Sequence, residues 1–225
     1  MNIFVHAMKE ATRYRINLVL VFLLPFPLLL IPAEVGAFPF GLSLYGLLVL
    51  YTAFLLGRPI AEDRIKGIIV RIAASPLGVW RYLGGHLAAG FLLLGVQISL
   101  FLIGSYFVHG LATIEYLHLF LLYLSFSVFC TSFALAWNNL SRSFNVSLGL
   151  FSGIGSVLCL VSGVSLPLML IPQQIRSVTM FLPTYWLPFG IEALHAARYG
   201  DLLLSHAILV TYAAILFIAG TVRKL

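Results

Sequence analysis

The sequence predicts an all-α integral membrane protein: six transmembrane helices, an N-terminal amphipathic helix, a helix in a cytoplasmic loop, and an outer re-entrant element before the last span. Three observations carry that prediction. First, 61% of the 225 residues are hydrophobic and 9% are charged, with a mean hydropathy of +1.07. A soluble domain carries about a quarter charged residues and about half apolar ones, and its outside must be wetted. The excess of apolar surface needs lipid as its solvent. Second, apolar runs of about 20 residues, the length that crosses the hydrocarbon core as a helix, recur six times. Third, the basic residues gather in alternate connecting segments.

The runs are Ile16–Ala33, Phe38–Gly57, Tyr82–Val108, Tyr116–Trp137, Phe144–Ile171 and Leu202–Val222. A shorter piece, Val178–Gly190, is broken by Pro183 and Pro188 and is too short to span; it reads as re-entrant or interfacial. With the amino terminus inside, the inner segments hold Lys9, Arg13, Arg15, Arg58, Arg64, Lys66, Arg71, Arg81, Arg142, Arg223 and Lys224. The outer segments hold Arg176 and Arg198. Eleven against two is a strong positive-inside bias, and it predicts a multi-pass protein of the cell membrane with both termini cytoplasmic. The net charge of +6 does not mark a nucleic-acid binder, because the basic residues lie between apolar runs and not along one exposed stripe.

Each element has its own signature. Phe4, Met8 and Ala11 lie opposite Lys9 and Arg13, which suits a short helix on the inner membrane surface. Basic residues before an apolar run, with Val35-Gly36-Ala37 after it, also resemble a signal peptide; the run is long for a signal core and contains Pro25 and Pro27, so it reads as a retained first span. Those prolines kink that span, and neighbouring helices or water must satisfy the carbonyls they free. The fifth run has 28 residues, about 42 Å if fully helical, so its outer end at Leu166-Pro167 is expected to bend or unwind. It also carries small residues at four-residue intervals: Gly149 and Gly153, Ser152 and Ser156, and Gly155, Cys159 and Gly163. That spacing allows close helix approach, within one bundle or between two copies. Cys130 and Cys159 sit inside apolar runs as small hydrophobes. The largest loop, Arg58 to Arg81, is too small for a soluble domain, so residues 1–225 read as a single transmembrane domain.

That loop is the most distinctive stretch, reading from Gly57 through Glu62-Asp63-Arg64-Ile65-Lys66-Gly67 to Ser75-Pro76. Ile65, Ile68, Ile69 and Ile72 make an apolar stripe at helical spacing, with Arg64 and Arg71 off it and Ser75-Pro76 as the stop. Such a helix can dock a soluble partner or rest passively on anionic lipid.

An acidic–basic cluster, a glycine, an apolar-basic turn and Ser-Pro-Leu before a long span resemble the type 2 ABC-transporter permease family. Leu124-Ser125-Phe126 in the fourth span, Ser162-Gly163 with Pro167 and Ile171-Pro172, and Pro183-Thr184-Tyr185 followed by Glu192 to Gly200 extend the likeness over almost the whole chain, in order. The resemblance implies a membrane subunit of an ABC transporter: two permease copies form the pathway, and two separate ATP-binding-cassette subunits supply ATP and Mg. It implies that the loop helix, about Glu62 to Ile72, is the coupling helix to the ATPase. Glu62, Asp63, Arg64, Lys66 and Gly67 are then the coupling surface, the charged members pairing across the interface and Gly67 allowing close approach. Pro25, Gly149, Gly153, Ser156 and Gly163 are candidates for the pathway or the permease–permease interface, by position. The sequence has no G-x-x-x-x-G-K-[ST] run, so it carries no nucleotide-binding domain and no cofactor or catalytic residue of its own. The loop between the first two spans, about Pro32 to Pro39, is short, so substrates of family members with large extracellular domains there do not transfer.

An apolar pathway suits export of an amphiphilic or hydrophobic compound, such as a drug, a peptide antibiotic or a lipid-like molecule. The alternatives are an ion-coupled carrier or channel, and an accessory subunit with no pathway. Carriers place ionisable groups near the midplane, and this sequence has no carboxylate there. Glu115-x-x-His118 and Glu192-x-x-His195 are spaced like di-iron ligands; with Glu34 and Asp201 as the remaining outer carboxylates, they are not assigned a metal. Gln97 near mid-depth and His86 near the inner interface are read as structural hydrogen-bonding groups.

Overall fold

A computed structural model describes residues 3–31, 40–74, 78–110, 113–138, 143–166 and 171–222. Arg142, Arg223, Lys224, Glu34, Ser75-Pro76, Pro167 and the loop Pro32 to Pro39 lie outside them. The described helices are α1 (Ile3–Arg13), α2 (Arg15–Phe22), α3 (Pro25–Leu29), α4 (Phe40–Leu56), α5 (Arg58–Ile65), α6 (Ile68–Ala73), α7 (Val79–His109), α8 (Thr113–Asn138), α9 (Phe144–Val161), α10 (Gln173–Thr179), α11 (Trp186–His195) and α12 (Tyr199–Val222). A 3₁₀ turn, Pro183–Tyr185, leads into α11.

Among the described residues, five helices are long and apolar enough to cross a membrane: α4 with its continuation α5, then α7, α8, α9 and α12. A sixth candidate reaches that length only as the pair Ile3–Arg13 and Arg15–Leu29, bent by 87° at the break between them. The elbow has a local cause. Tyr14 leaves the helical region, and the buried Asn17 side chain donates to the Ala11 carbonyl at 2.7 Å, closing the turn from within. Within the span, the helix breaks at Leu23–Leu24 and restarts at Pro25, as a proline without an N–H requires.

Helix α8 is the hub, packing against α4, α7, α11 and α12. Its Tyr123, Phe126 and Phe129 are fully buried. Tyr45 stacks on Phe101 at 3.8 Å, and Phe54 on Phe151 at 4.2 Å, so offset rings join α4 to α7 and to α9. Ser125 Oγ and His206 Nδ1, 2.7 Å apart, link α8 to α12. Helix α9 is tethered mainly along one side, where the Tyr51 hydroxyl reaches the Ser152 carbonyl (2.8 Å) and Ser156 Oγ (2.7 Å).

The fifth span is shorter than the apolar run predicts. Helix α9 ends at Val161, and Gly163 at φ 89 turns the chain away before Leu166. Eighteen helical residues are about 27 Å, close to the hydrocarbon thickness. The re-entrant element folds back into the bundle, with Trp186 Nε1 donating to the Met180 carbonyl (3.0 Å) and the Tyr212 hydroxyl to the Phe181 carbonyl (2.9 Å).

Close approach is demanded at Gly41, where a Cβ would strike the Leu28 carbonyl oxygen, main chain that cannot swing aside. Gly41→Ala is therefore expected to destabilise the bundle by about 1–3 kcal/mol, the usual cost of overpacking. Thermal denaturation of the detergent-solubilised protein measures it.

Candidate coupling site at the basic end

The bundle end that carries Lys9, Arg13, Arg15, Arg58, Arg64, Lys66, Arg71 and Arg81 is built where α5 meets the elbow between α1 and α2 at Tyr14. Glu62 is its centre. Arg58 Nε donates to one carboxylate oxygen at 2.6 Å; Lys66 Nζ (3.3 Å) and the Tyr14 hydroxyl (3.2 Å) donate to the other. The Arg58 guanidinium also lies over the Tyr14 ring (4.6 Å) and the Phe144 ring (5.0 Å), tying α5 to the elbow and to α9.

Asp63, one residue on, faces α7 and accepts the Tyr82 hydroxyl at 2.5 Å. Glu10, from α1, lies 3.4 Å from His6 and 3.7 Å from the buried His86, and burial raises its pKa. Glu10, Arg13, Tyr14, Glu62, Asp63 and Lys66 line one polar crevice. Helix α1 seats directly on the start of α7: a Cβ at Gly85 would come within 2.6 Å of Ile3.

The residues expected to form the coupling surface therefore divide. Glu62 and Asp63 point into the chain's own elbow. Arg64 is half-buried, and Lys66 is exposed. The single amphipathic helix from Glu62 to Ile72 is corrected to two helices, because Gly67 at φ 69 closes α5 in the left-handed region. No atom lies within 4 Å of a Cβ built at Gly67, so the backbone turn and not crowding calls for glycine there. The break also splits the isoleucine stripe. Ile69 is buried and Ile65 is exposed, and the exposed face of the pair is Ile65, Lys66, Val70 and Arg71.

The second group divides too. Gly149 and Gly153 face open space on α9, beside Leu150, Ile154 and Val157. Ser156 is bonded to Tyr51, Gly163 closes the helix, and Pro25 is buried at the start of α3. At the far end, Glu192 takes Arg176 (3.2 Å) and faces Arg198 (4.0 Å), while Asp201 takes Arg198 (2.7 Å). Among the described residues no cluster of three or more His, Cys, Asp or Glu is arranged to hold a metal.

Sequence reasoning missed Tyr14, Arg58 and Tyr82 as parts of the site. The signal was faint: each is an amphipathic side chain beside an apolar run, where snorkelling residues are common.

A helical bundle of five or six candidate spans, with a charged elbow at one end and a folded-back element at the other, defines a multi-span membrane protein. The chain belongs to the ABC-2 transporter family: residues 19–222 match the model of "ABC-2 family transporter protein". It is a permease subunit. It is also similar to the linearmycin resistance permease protein LnrN of Bacillus subtilis (strain 168), with 27% identity over 182 residues, covering 77% of this chain and 46% of that protein. The chain thus spans about half the length of the curated relative it matches.

Proposed function

We propose that this chain is the membrane subunit of an ATP-driven exporter of an amphiphilic or hydrophobic compound: a drug, a peptide antibiotic or a lipid-like molecule. Residues 1–225 act as one permease domain in the cell membrane, with both termini and the basic end cytoplasmic. ATP and Mg bind a separate ATP-binding-cassette subunit, and a second permease copy completes the pathway. The observation that carries the reading is the exposed Ile65, Lys66, Val70 and Arg71 face, beside Glu62 and Asp63, whose carboxylates are bonded within the chain to Arg58 and Tyr82. An apolar–basic tip on a braced support transmits a push from a soluble motor into the spans. The resistance named for the relative supports the outward direction.

The open face of α9 at Gly149 and Gly153, where small residues leave room for another backbone, supports packing of the second copy there. A cysteine at Gly153 is expected to cross-link two copies under mild oxidation, while one at the exposed Leu203 of α12 does not. Equal cross-linking at both positions counts against this placement.

Inverted membrane vesicles containing the permease and its ATPase test the substrate class. ATP-dependent uptake of lipophilic antibiotics is expected. Uptake restricted to hydrophilic sugars, or driven by an ion gradient without ATP, overturns the proposal.

A further inference from the structure

Gln97 is fully buried near the middle of α7, and its amide answers a specific defect in another helix. In a regular α-helix the Leu20 carbonyl accepts from the N–H four residues on, that of Leu24. Here the Leu24 N–H bonds to the Val19 carbonyl at 3.0 Å, as does that of Leu23 at 2.8 Å, and Pro25 has no N–H to give. The Leu20 carbonyl is left to a donor from outside the helix, and Gln97 Nε2 lies 3.2 Å from it. The same nitrogen lies 3.4 Å from Thr52 Oγ1 on α4. The orientation of the amide is fixed by this pairing, since the reverse would set two acceptor oxygens against each other.

Beyond the break, α3 is seated by close contacts. The Leu28 carbonyl rests on Gly41 of α4, and a Cβ at Gly104 of α7 would come within 2.5 Å of Leu29. The outer segment of the first span thus lies between two glycines, with Gln97 at the joint below it.

We propose that Gln97 is a positioning residue for transport: its amide replaces the helical hydrogen bond lost at the Pro25 break and fixes where α3 sits between α4 and α7. Because the bond comes from α7, the joint holds its bend without presenting a bare carbonyl to lipid, and movement of α7 is carried to the outer half of the first span. The inference rests on the chain being a permease, but not on its substrate or its motor.

The test uses spin labels at Leu30, on the outer side of α3, and Phe107, near the end of α7, both highly exposed. Cys130 and Cys159 are fully buried and stay unlabelled. Electron–electron distances are read on the purified, reconstituted permease, without ATP, ATPase or substrate, so failure of the export reading leaves the result intact. The native protein is expected to give one narrow distance. Gln97→Leu should shift or broaden it, with the folded fraction retained. Adding Pro25→Ala should restore the narrow distance, because a regular helix gives Leu20 its own donor. Thr52→Val should change it less than Gln97→Leu does. An unchanged distance in Gln97→Leu overturns the proposal, as does failure of Pro25→Ala to rescue it. So does a Thr52→Val effect as large as that of Gln97→Leu, which would assign the amide to Thr52 instead.

Discussion

Glu62→Lys is expected to unseat the N-terminal helix, to lower the stability of the fold and to abolish transport. The substitution removes the acceptor of Arg58, Lys66 and Tyr14 and puts a third cation beside two others. Exposed ion pairs contribute little, but this carboxylate is mostly shielded and holds two helices through one group. Losing charge-assisted hydrogen bonds and adding like-charge repulsion should cost about 2–3 kcal/mol. Glu62→Gln, which keeps the shape and one acceptor, should cost less than half as much. Thermal unfolding and protease accessibility of the Arg13–Arg15 elbow measure both. An unaltered unfolding temperature in Glu62→Lys contradicts the geometry described for the elbow.

The second large effect is the opposite kind. Lys66→Glu combined with Arg71→Glu reverses the exposed basic tip, in which Lys66 makes one ion pair with its side chain 61% exposed. Stability should change by less than about 1 kcal/mol, as for surface charges generally. Transport should fall at least about tenfold if the tip meets an acidic or polar partner surface, since rim charges govern docking rate and register. The pair of experiments separates the two halves of one charged segment: Glu62 acts inward, Lys66 and Arg71 outward. A double reversal that transports normally excludes this face as the contact.

Much of this was legible in the sequence. Apolar run length marked the spans, because lipid imposes that constraint on the chain directly. Pro25 marked the break in the first span. Three features were not legible. Periodicity placed Ile65, Ile68, Ile69 and Ile72 on one helix face, but a single glycine at φ 69 resets the phase between α5 and α6. A glycine tolerated inside a helix and one that ends it look alike until the backbone is known. The direction of Glu62 and Asp63 was hidden for a different reason. Their partners Tyr14 and Tyr82 are 48 and 19 residues away, and pairing across a fold leaves no local pattern. The end of α9 at Val161 is a third instance, since apolar composition continues to Leu166 after the backbone has turned at Gly163.

The central claim is that the basic tip meets an ATP-hydrolysing subunit. A photo-cross-linking amino acid at Lys66 or Val70, in the active transporter in its native membrane, tests it most directly. The account predicts a cross-linked protein carrying a G-x-x-x-x-G-K-[ST] phosphate-binding loop, captured from these positions and not from the exposed Leu203 of α12. Capture of lipid alone from both tip positions, in membranes that still transport, would contradict it.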